Sequence, residues 1–433
     1  MSEVTIGLLG LAVVLILFLT GIELAFAMAL VGFLGFSCIV SLKAGLNLLA
    51  KDFFDVFASY GFTVIPLFVL MGQIAFNAGI AKRLYDASYR FIGHIPGGLA
   101  MATVAGATVF KAICGSSPAT AATFASVAVP EMDRYNYDKK LSTGIVATVG
   151  TLGILIPPSV TLIVFGIITE QSIGKLFLAG LVPGLMIAFF FICIIYIWCQ
   201  MNPALGPKGE KSTWKQRIAS LPEVLWVVGV FLLVIGGLMY GFFTPTEAGS
   251  VGTFAVLVLS VVKRDIGFMG YIKSVVESLR TACMVLMLIA GSQVLGHFLA
   301  RTKIPMIAAD WIVSLPLSPD MIMIIISMIY LLGGSFIDDL AFMVLATPIF
   351  YPVIIKLGYN PLWFGMIIAI TVMVGVVIPP VAINVFVVRA ITKQSFSVIY
   401  AGVYPFLLSL VFCAVLLFIF PQIATFLPNM FMR

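Results

Sequence analysis

The sequence contains few charged residues and almost no histidine, and it lacks the common catalytic motifs. Only 10% of its 433 residues are charged, and its two histidines, His94 and His297, lie too far apart in sequence to suggest a shared metal site. There is no His-Glu-x-x-His pattern, no Walker-type phosphate loop and no Gly-x-Ser-x-Gly elbow. These absences argue against a zinc hydrolase, an ATP-driven pump and a serine hydrolase, so we predict that the chain is not an enzyme.

Apolar residues take the place of the missing charge. They make up 62% of the chain, whereas soluble proteins average roughly half apolar and a quarter charged. A bilayer needs about 20 apolar residues for each helical crossing. We therefore predict an all-α, multi-pass integral membrane protein surrounded by the lipid bilayer. The first apolar run, residues 4–19, has no basic segment before it, so we interpret it as a retained span and not as a signal peptide.

The cysteines and the basic residues show no arrangement that indicates a special function. The six cysteines have no paired metal-ligand spacing and lie mostly in apolar runs, so we interpret them as thiols packed within the membrane. The net charge of +6 is modest, and no basic run interleaved with aromatic residues is present. We therefore expect no nucleic acid partner.

The basic loops predict the topology. The polar linker 201–221 is basic, as is the loop 263–273 two spans later, and both are placed in the cytoplasm by the positive-inside tendency. Two further basic loops, 82–90 and 134–140, flank the apolar stretch 96–131. If that stretch crossed the membrane once, one of these loops would face outside. A re-entrant hairpin at 96–131 keeps both in the cytoplasm, and we predict one there.

The two halves of the chain resemble each other. Residues 153–183 and 375–405 share, in order, Gly, Ile-Pro-Pro, Ala-Gly and Pro. In both segments the Ala-Gly follows the first proline of the pair by 22 residues and the last Pro follows it by 26. Upstream, Gly115-Ser116 corresponds to Gly334-Ser335. With the loops oriented as above, the two copies run in opposite directions through the membrane.

We therefore predict two inverted repeats, 1–200 and 222–433, joined by the basic cytoplasmic linker 201–221. The first repeat contains the hairpin near 96–131 and a broken helix near 141–169. The second contains a hairpin near 318–355 and a broken helix near 362–392. Inverted repeats with discontinuous helices are typical of secondary transporters, whose substrate and ion sites lie at the repeat interface.

The proline pairs Pro157-Pro158 and Pro379-Pro380 predict the helix breaks. A proline pair removes backbone donors and clashes with the preceding turn. Bare backbone within a bilayer is costly unless protein, water or an ion satisfies it. The freed carbonyls at these two positions are therefore candidate ligands for a cation, with a simple kink as the alternative.

The middle of the first hairpin, residues 115–120, is small and rich in hydroxyl groups. It includes Ser116, Ser117 and Thr120. Two half-helices that meet there expose backbone groups, and helix N-termini with partial positive charge suit an anionic ligand. Small residues also serve tight helix packing, which is the alternative interpretation.

The second hairpin carries two carboxylates, Asp338 and Asp339, between long apolar runs. Ionisable groups within a membrane are costly and are candidates for function by default. We expect Asp338 to bind or influence a cation and Asp339 to face water at the hairpin tip. If the stretch is an exposed loop, both are merely solvated.

Three further polar residues are candidates for substrate contact. Arg389 follows the second proline pair by nine residues, and it either contacts an anionic substrate or extends to the cytoplasmic interface beside Lys393. Lys111, before the first hairpin tip, is equally ambiguous. Asn384 is a better central candidate, with a hydrogen bond between helices as the alternative.

In these features the sequence resembles the large, DctM-like membrane subunit of the TRAP (tripartite ATP-independent periplasmic) transporters. The resemblance covers nearly the whole chain. It is carried by the motifs at 66–72, 115–117, 153–159, 176–184, 243–248, 334–338 and 378–380. Asp339 and Pro118 depart from the pattern expected for the family.

The resemblance implies an elevator-type symporter of the bacterial inner membrane that takes up an organic acid and is driven by a sodium gradient. Its expected partners are a small membrane subunit, a periplasmic substrate-binding protein and an organic carboxylate. Sodium ions are the only expected cofactor-like ligands. The alternative is a self-sufficient divalent-anion/sodium symporter of a related elevator fold that needs no binding protein. A membrane enzyme or a channel is a third class, for which the sequence offers neither a catalytic cluster nor a continuous polar stripe.

The predicted site residues follow from the motifs and the resemblance together. The expected sodium ligands are at Ser116, Gly150, Pro157, Gly334, Asp338 and Gly375. The expected substrate contacts are Ser117, Thr120, Asn384 and Arg389.

Overall fold

The computed structural model describes residues 2–432, and within that range it contains α-helices and short 3₁₀ turns but no β-strand. Eight of the described helices are long and apolar enough to cross a bilayer. They are Tyr60–Asn77, Ile173–Met201, Trp214–Met239, Pro245–Lys263, Phe268–Thr302, Pro319–Phe336, Asp339–Lys356 and Phe396–Ile419. The predicted all-α membrane architecture is confirmed.

The first half of the chain forms ten α-helices. They are α1 (Glu3–Leu19), α2 (Leu24–Ile39), α3 (Leu42–Ala58), α4 (Val64–Asn77), α5 (Ile80–Ile92), α6 (Gly98–Lys111), α7 (Ser117–Arg134), α8 (Lys139–Val149), α9 (Val160–Ile168) and α10 (Ile173–Met201). The apolar runs in the sequence did not reveal α3 and α5. Both helices carry charged residues along one side, so neither reads as a continuous apolar run.

The second half also forms ten helices. They are α11 (Trp214–Met239), α12 (Pro245–Lys263), α13 (Phe268–Thr302), α14 (Ile304–Ser314), α15 (Pro319–Phe336), α16 (Asp339–Lys356), α17 (Pro361–Gly375), α18 (Ile383–Thr392), α19 (Phe396–Ile419) and α20 (Gln422–Phe431). The last part of the predicted linker 201–221 is helical, because Thr213 and Gln216 form a capping box that starts α11 at Trp214.

The remainder of the linker is bound to the first half. Gly97 N donates to Gly206 O over 2.8 Å, Gly209 N donates to Gly93 O over 2.9 Å, and Asp138 N donates to Leu205 O over 3.0 Å. These main-chain bonds join the linker to the loops on both sides of the α6–α7 pair. The linker is therefore a docked segment and not a slack connection.

Each predicted hairpin is present as two helices with a short non-helical tip. In the first, α6 and α7 are separated by residues 112–116, and the Ser116 hydroxyl caps α7 by accepting from Ala119 N. In the second, α15 and α16 are separated by residues 337–338 alone. At each tip two helices end, and the backbone groups at these helix ends have no partner within their own helix.

The helices are interrupted at both proline pairs, as predicted. After α8 a 3₁₀ turn, Gly150–Ile154, leads into Pro157-Pro158, and α9 begins after Ser159. In the second half, residues 376–382 separate α17 from α18. The peptide bond within each proline pair is cis.

Candidate substrate and ion site

A cavity of about 160 Å³ lies where the two hairpin tips face helices α4 and α13. Its walls come from both halves of the chain. The side chains and backbone that line it are Phe68, Val69, Gly72, Gln73 and Phe76 of α4; residues 114–119 of the first tip; Ile154, Val160 and Thr161 of the first break; Thr281, Met284 and Val285 of α13; and residues 338–340 of the second tip.

The first hairpin tip folds back on itself. The carbonyl of Ser116 accepts hydrogen bonds from Lys111 Nζ at 2.7 Å and from the Thr120 hydroxyl at 3.0 Å. Gly115 lies directly against the carbonyl of Pro158, where a side chain would have no room. The tip is therefore fixed both by its own helices and by the first helix break.

The second hairpin tip lies on the second break in the same way. Val381 N donates to Ser335 O over 3.0 Å. A side-chain carbon on Gly375 would lie 2.7 Å from the carbonyl carbon of Gly334, so the two glycines let the backbones approach closely. The structure thus brings Gly334 and Gly375, both predicted sodium ligands, into contact.

Each broken helix also contacts the hairpin of the other half. In one direction, Asn384 Nδ2 donates to Ser117 Oγ and to Ala147 O, both at 3.1 Å. In the other, the Thr161 hydroxyl donates to Asp339 Oδ2 over 3.4 Å. Asn384 and Ser117 are buried, so this pair joins the halves inside the protein. The site is held together by reciprocal polar contacts.

The carboxylates lie at the start of α16. Asp338 is half-buried and immediately precedes the helix, and Asp339 is its first residue, with only 9% of its surface exposed. Negative charge is stabilised at a helix N-terminus. The expectation that Asp339 faces bulk water is wrong, because this side chain is directed to Thr161 across the cavity. An exposed loop is likewise not observed at this point.

Not every predicted residue reaches the cavity. Of the sodium candidates, Ser116 and Asp338 line it, whereas Gly150, Pro157, Gly334 and Gly375 do not. Of the substrate candidates, only Ser117 lines the cavity. The remaining three are Thr120, whose hydroxyl bonds within the hairpin, Asn384, which positions Ser117, and Arg389.

Arg389 lies outside this region. Its guanidinium carbon is 3.9 Å from the centroid of the Phe396 ring, and the side chain is exposed in a separate surface pocket with Phe386 and Lys393. The contact is a cation–π interaction.

Three polar side chains that line the cavity were not among the predicted site residues. Gln73, Thr161 and Thr281 supply polar side chains from α4, α9 and α13. The signal available in the sequence was a polar residue within an apolar span, which ordinary helix packing also explains. Only the position of the tips shows that these side chains face one space.

Comparisons with known proteins agree over almost the full chain. Residues 11–423 match the family described as "Tripartite ATP-independent periplasmic transporter, DctM component". The chain is 35% identical over 382 residues to the C4-dicarboxylate TRAP transporter large permease protein DctM of Pseudomonas aeruginosa, covering 88% of this chain and 89% of the relative. It is 29% identical to the sialic acid TRAP transporter large permease protein SiaM of Vibrio cholerae, with 91% and 92% covered.

The fold also matches a solved membrane transporter. The YdaH transporter of Alcanivorax borkumensis superposes with a TM-score of 0.57 at 13% sequence identity, covering 88% of this chain and 89% of the other. At that identity the likeness concerns the fold alone. The family match and the relatives lead to one assignment: this chain belongs to the DctM family, the multi-pass large permeases of TRAP transporters.

Proposed function

We propose that the chain is the transport subunit of a sodium-coupled TRAP symporter that imports an organic acid across the bacterial inner membrane. It works with a small membrane subunit and receives its substrate from a periplasmic binding protein. The observation that carries the proposal is the cavity between the two hairpin tips, which combines the paired carboxylates of Asp338 and Asp339 with the hydroxyl-rich first tip.

The charge of the cavity supports coupling to a cation. Its described lining contains two aspartates but no lysine, arginine or histidine. An organic anion that entered such a site would add negative charge to a poorly hydrated space, which is costly without a counter-ion. Hard cations prefer oxygen ligands. A sodium ion held by carboxylate and carbonyl oxygens would allow the anion to bind beside it.

The proposed ligand set keeps all the predicted residues except one and divides them by role. Asp338 and Ser116 act at the cavity, while the backbone at Gly150, Pro157, Gly334 and Gly375 supplies carbonyls behind the tips. Ser117 contacts the substrate, and Thr120 and Asn384 hold the first tip in position. Arg389, which stacks on Phe396, is left out of the set.

The division of the cavity walls supports an elevator mechanism. One wall is formed by the hairpin tips, which are bound to the helix breaks through backbone contacts. The other wall is α4 and α13, which pack against each other and against α2 and α12. A site between two separately packed groups of helices can change its access when one group slides along the other.

The test is uptake by proteoliposomes that contain the permease and its small subunit. C4-dicarboxylates and sialic acid, the substrates in the names of the relatives, are the first ligands to screen against the binding protein. We expect uptake of the bound acid when sodium is high outside, and none when choline replaces sodium. Equal uptake of free substrate without the binding protein would favour the self-sufficient symporter. Accumulation of the acid above its outside concentration without any ion gradient would exclude a symporter.

A further inference from the structure

The first hairpin contains a buried cation whose place the proposed function does not explain. Lys111 is the last residue of α6 and is fully shielded from solvent. Its Nζ atom donates to the carbonyl of Ser116 over 2.7 Å. Among residues 2–432, no carboxylate lies within ion-pair distance of this ammonium group. Within that range the ammonium donates to one backbone carbonyl oxygen, a group that also serves as a ligand for hard cations.

The surroundings are shaped to accept the side chain. Lys111 runs along the 3₁₀ turn of the first break, and a side-chain carbon on Gly153 would overlap Nζ. The ammonium therefore occupies space that only glycine leaves open at that position. The C-terminal end of α6 also carries partial negative charge, which favours a cation there.

The second hairpin has no corresponding cation. Lys111 precedes Gly115 by four residues, and the residue four before Gly334 is Tyr330. Tyr330 is also fully buried, and its hydroxyl pairs with Thr347 at 3.2 Å. The two residues correspond in the sequence repeat, but only the first brings a charge.

The two helix breaks also differ, in burial and in capping. Pro157 and Pro158 are buried, and the Ser159 hydroxyl caps α9. Pro379 and Pro380 are exposed, and α18 begins after Ala382, at φ 47°, without a side-chain cap. The first break is thus buried beside the lysine, whereas the second is exposed and is bonded to the second tip at Ser335, three residues before Asp338.

We propose that the Lys111 ammonium is a tethered cation that takes the place of one sodium ion at the first hairpin. The Ser116 carbonyl then binds the ammonium, and sodium binding falls on the second hairpin around Asp338, Gly334 and Gly375. The inference rests on the proposed sodium coupling and revises its ligand set, because Ser116 then binds the ammonium and Gly150 and Pro157 no longer act as sodium ligands.

The experiment counts sodium ions on the purified full-length chain in detergent by equilibrium binding of radiolabelled sodium. Lys111→Ala empties the space beside Gly153 and frees the Ser116 carbonyl, so we expect one more bound sodium per chain than in the wild type. Lys111→Met is the matched control, because its side chain fills the same space without charge or donor. We expect no additional ion in Lys111→Met. Thermal unfolding followed by tryptophan fluorescence shows that each variant is folded.

A second measurement decides the question if Lys111→Ala does not fold. Asp338→Asn in the otherwise wild-type chain should remove all specific sodium binding. Sodium that remained bound to this variant would overturn the proposal, as would an unchanged count in folded Lys111→Ala. If the wild type bound no sodium, the proposed coupling would be wrong, whereas a gained ion in Lys111→Ala would still support the role of the lysine.

Discussion

The two hairpins share a backbone plan and differ in charge. Both have a Gly-Ser pair at or near the tip, and both rest on the helix break of their own half. The first places Lys111 before the tip and hydroxyl groups after it, whereas the second places Tyr330 before the tip and two aspartates after it. The repeat supplies the geometry twice, and the unlike side chains give the single cavity two chemically different sides.

The two hairpins also differ in how many of their polar groups are used in contacts between the halves and how many are free to bind a ligand. Asn384 donates to the Ser117 hydroxyl and to the carbonyl of Ala147 in α8, so one side chain joins the first tip to α8 and to the second half. The reciprocal contact, Thr161 to Asp339, is a single longer bond of 3.4 Å, and Asp338 makes no capping bond. We infer that the second tip keeps oxygen atoms free for a ligand. Four experiments test this comparison.

The largest expected effect belongs to the acidic tip. Asp338→Ala should weaken the apparent affinity for sodium on the order of 100-fold, because it removes a charged ligand in a poorly hydrated site. Sodium-dependent uptake measured in proteoliposomes over a range of sodium concentrations checks this. Expression and thermal unfolding serve as controls, and unchanged sodium dependence would remove Asp338 from the site.

The next largest effect is expected where the backbones of Gly334 and Gly375 approach each other in the second half. Gly375→Ala forces a carbon against the Gly334 backbone and should lower stability by about 1–3 kcal/mol. Gly236→Ala in α11 is the matched control, since a carbon there meets nothing within 4 Å and removes a flexible residue from a helix interior. Thermal unfolding of both variants should show a decrease only for Gly375→Ala.

The two contacts between halves should be unequal. Asn384→Ala leaves the Ala147 carbonyl and the Ser117 hydroxyl buried without this partner, at a cost of about 1–3 kcal/mol. Thr161→Val, which keeps the side-chain shape, should cost less than about 1 kcal/mol, because the bond it removes is long. Equal losses of melting temperature would contradict the inference that Asn384 holds the first hairpin more strongly than Thr161 holds the second.

The smallest effect is expected at Arg389. Replacement by Ala removes the contact with Phe396, which is worth about 0.5–1 kcal/mol at an exposed site. The apparent sodium affinity and the substrate KM should change less than twofold. A tenfold rise in KM in a variant of normal stability would return Arg389 to the substrate contacts.

The sequence predicted the membrane architecture and the position of the helix interruptions because these depend on local composition. Apolar length determines which helices can cross a bilayer, and the proline pairs end α-helices wherever they occur. The small residues at 115–117 and 334–335 marked the tips for the same reason. Each of these structural features depends on residues that lie close to it in the sequence.

The remaining features depend on partners that are distant in the chain. Nothing near Asn384 indicates Ser117 as its partner 267 residues away, and nothing near Asp339 indicates that Thr161 shields it. The helices α3 and α5 carry too much charge to appear as apolar runs. Arg389 had two equal interpretations, and only the position of Phe396 shows where its side chain lies.

The docked linker has a mechanical consequence for a carrier whose first hairpin moves. Its bonds at Gly97 and Gly93 lie next to the start of α6, and Arg217 Nε donates to Arg90 O at the end of α5. Because the linker is bonded at these points, a displacement of α6 would also displace the beginning of α11. In the proposed elevator movement, the linker would therefore couple the start of α6 directly to the start of α11.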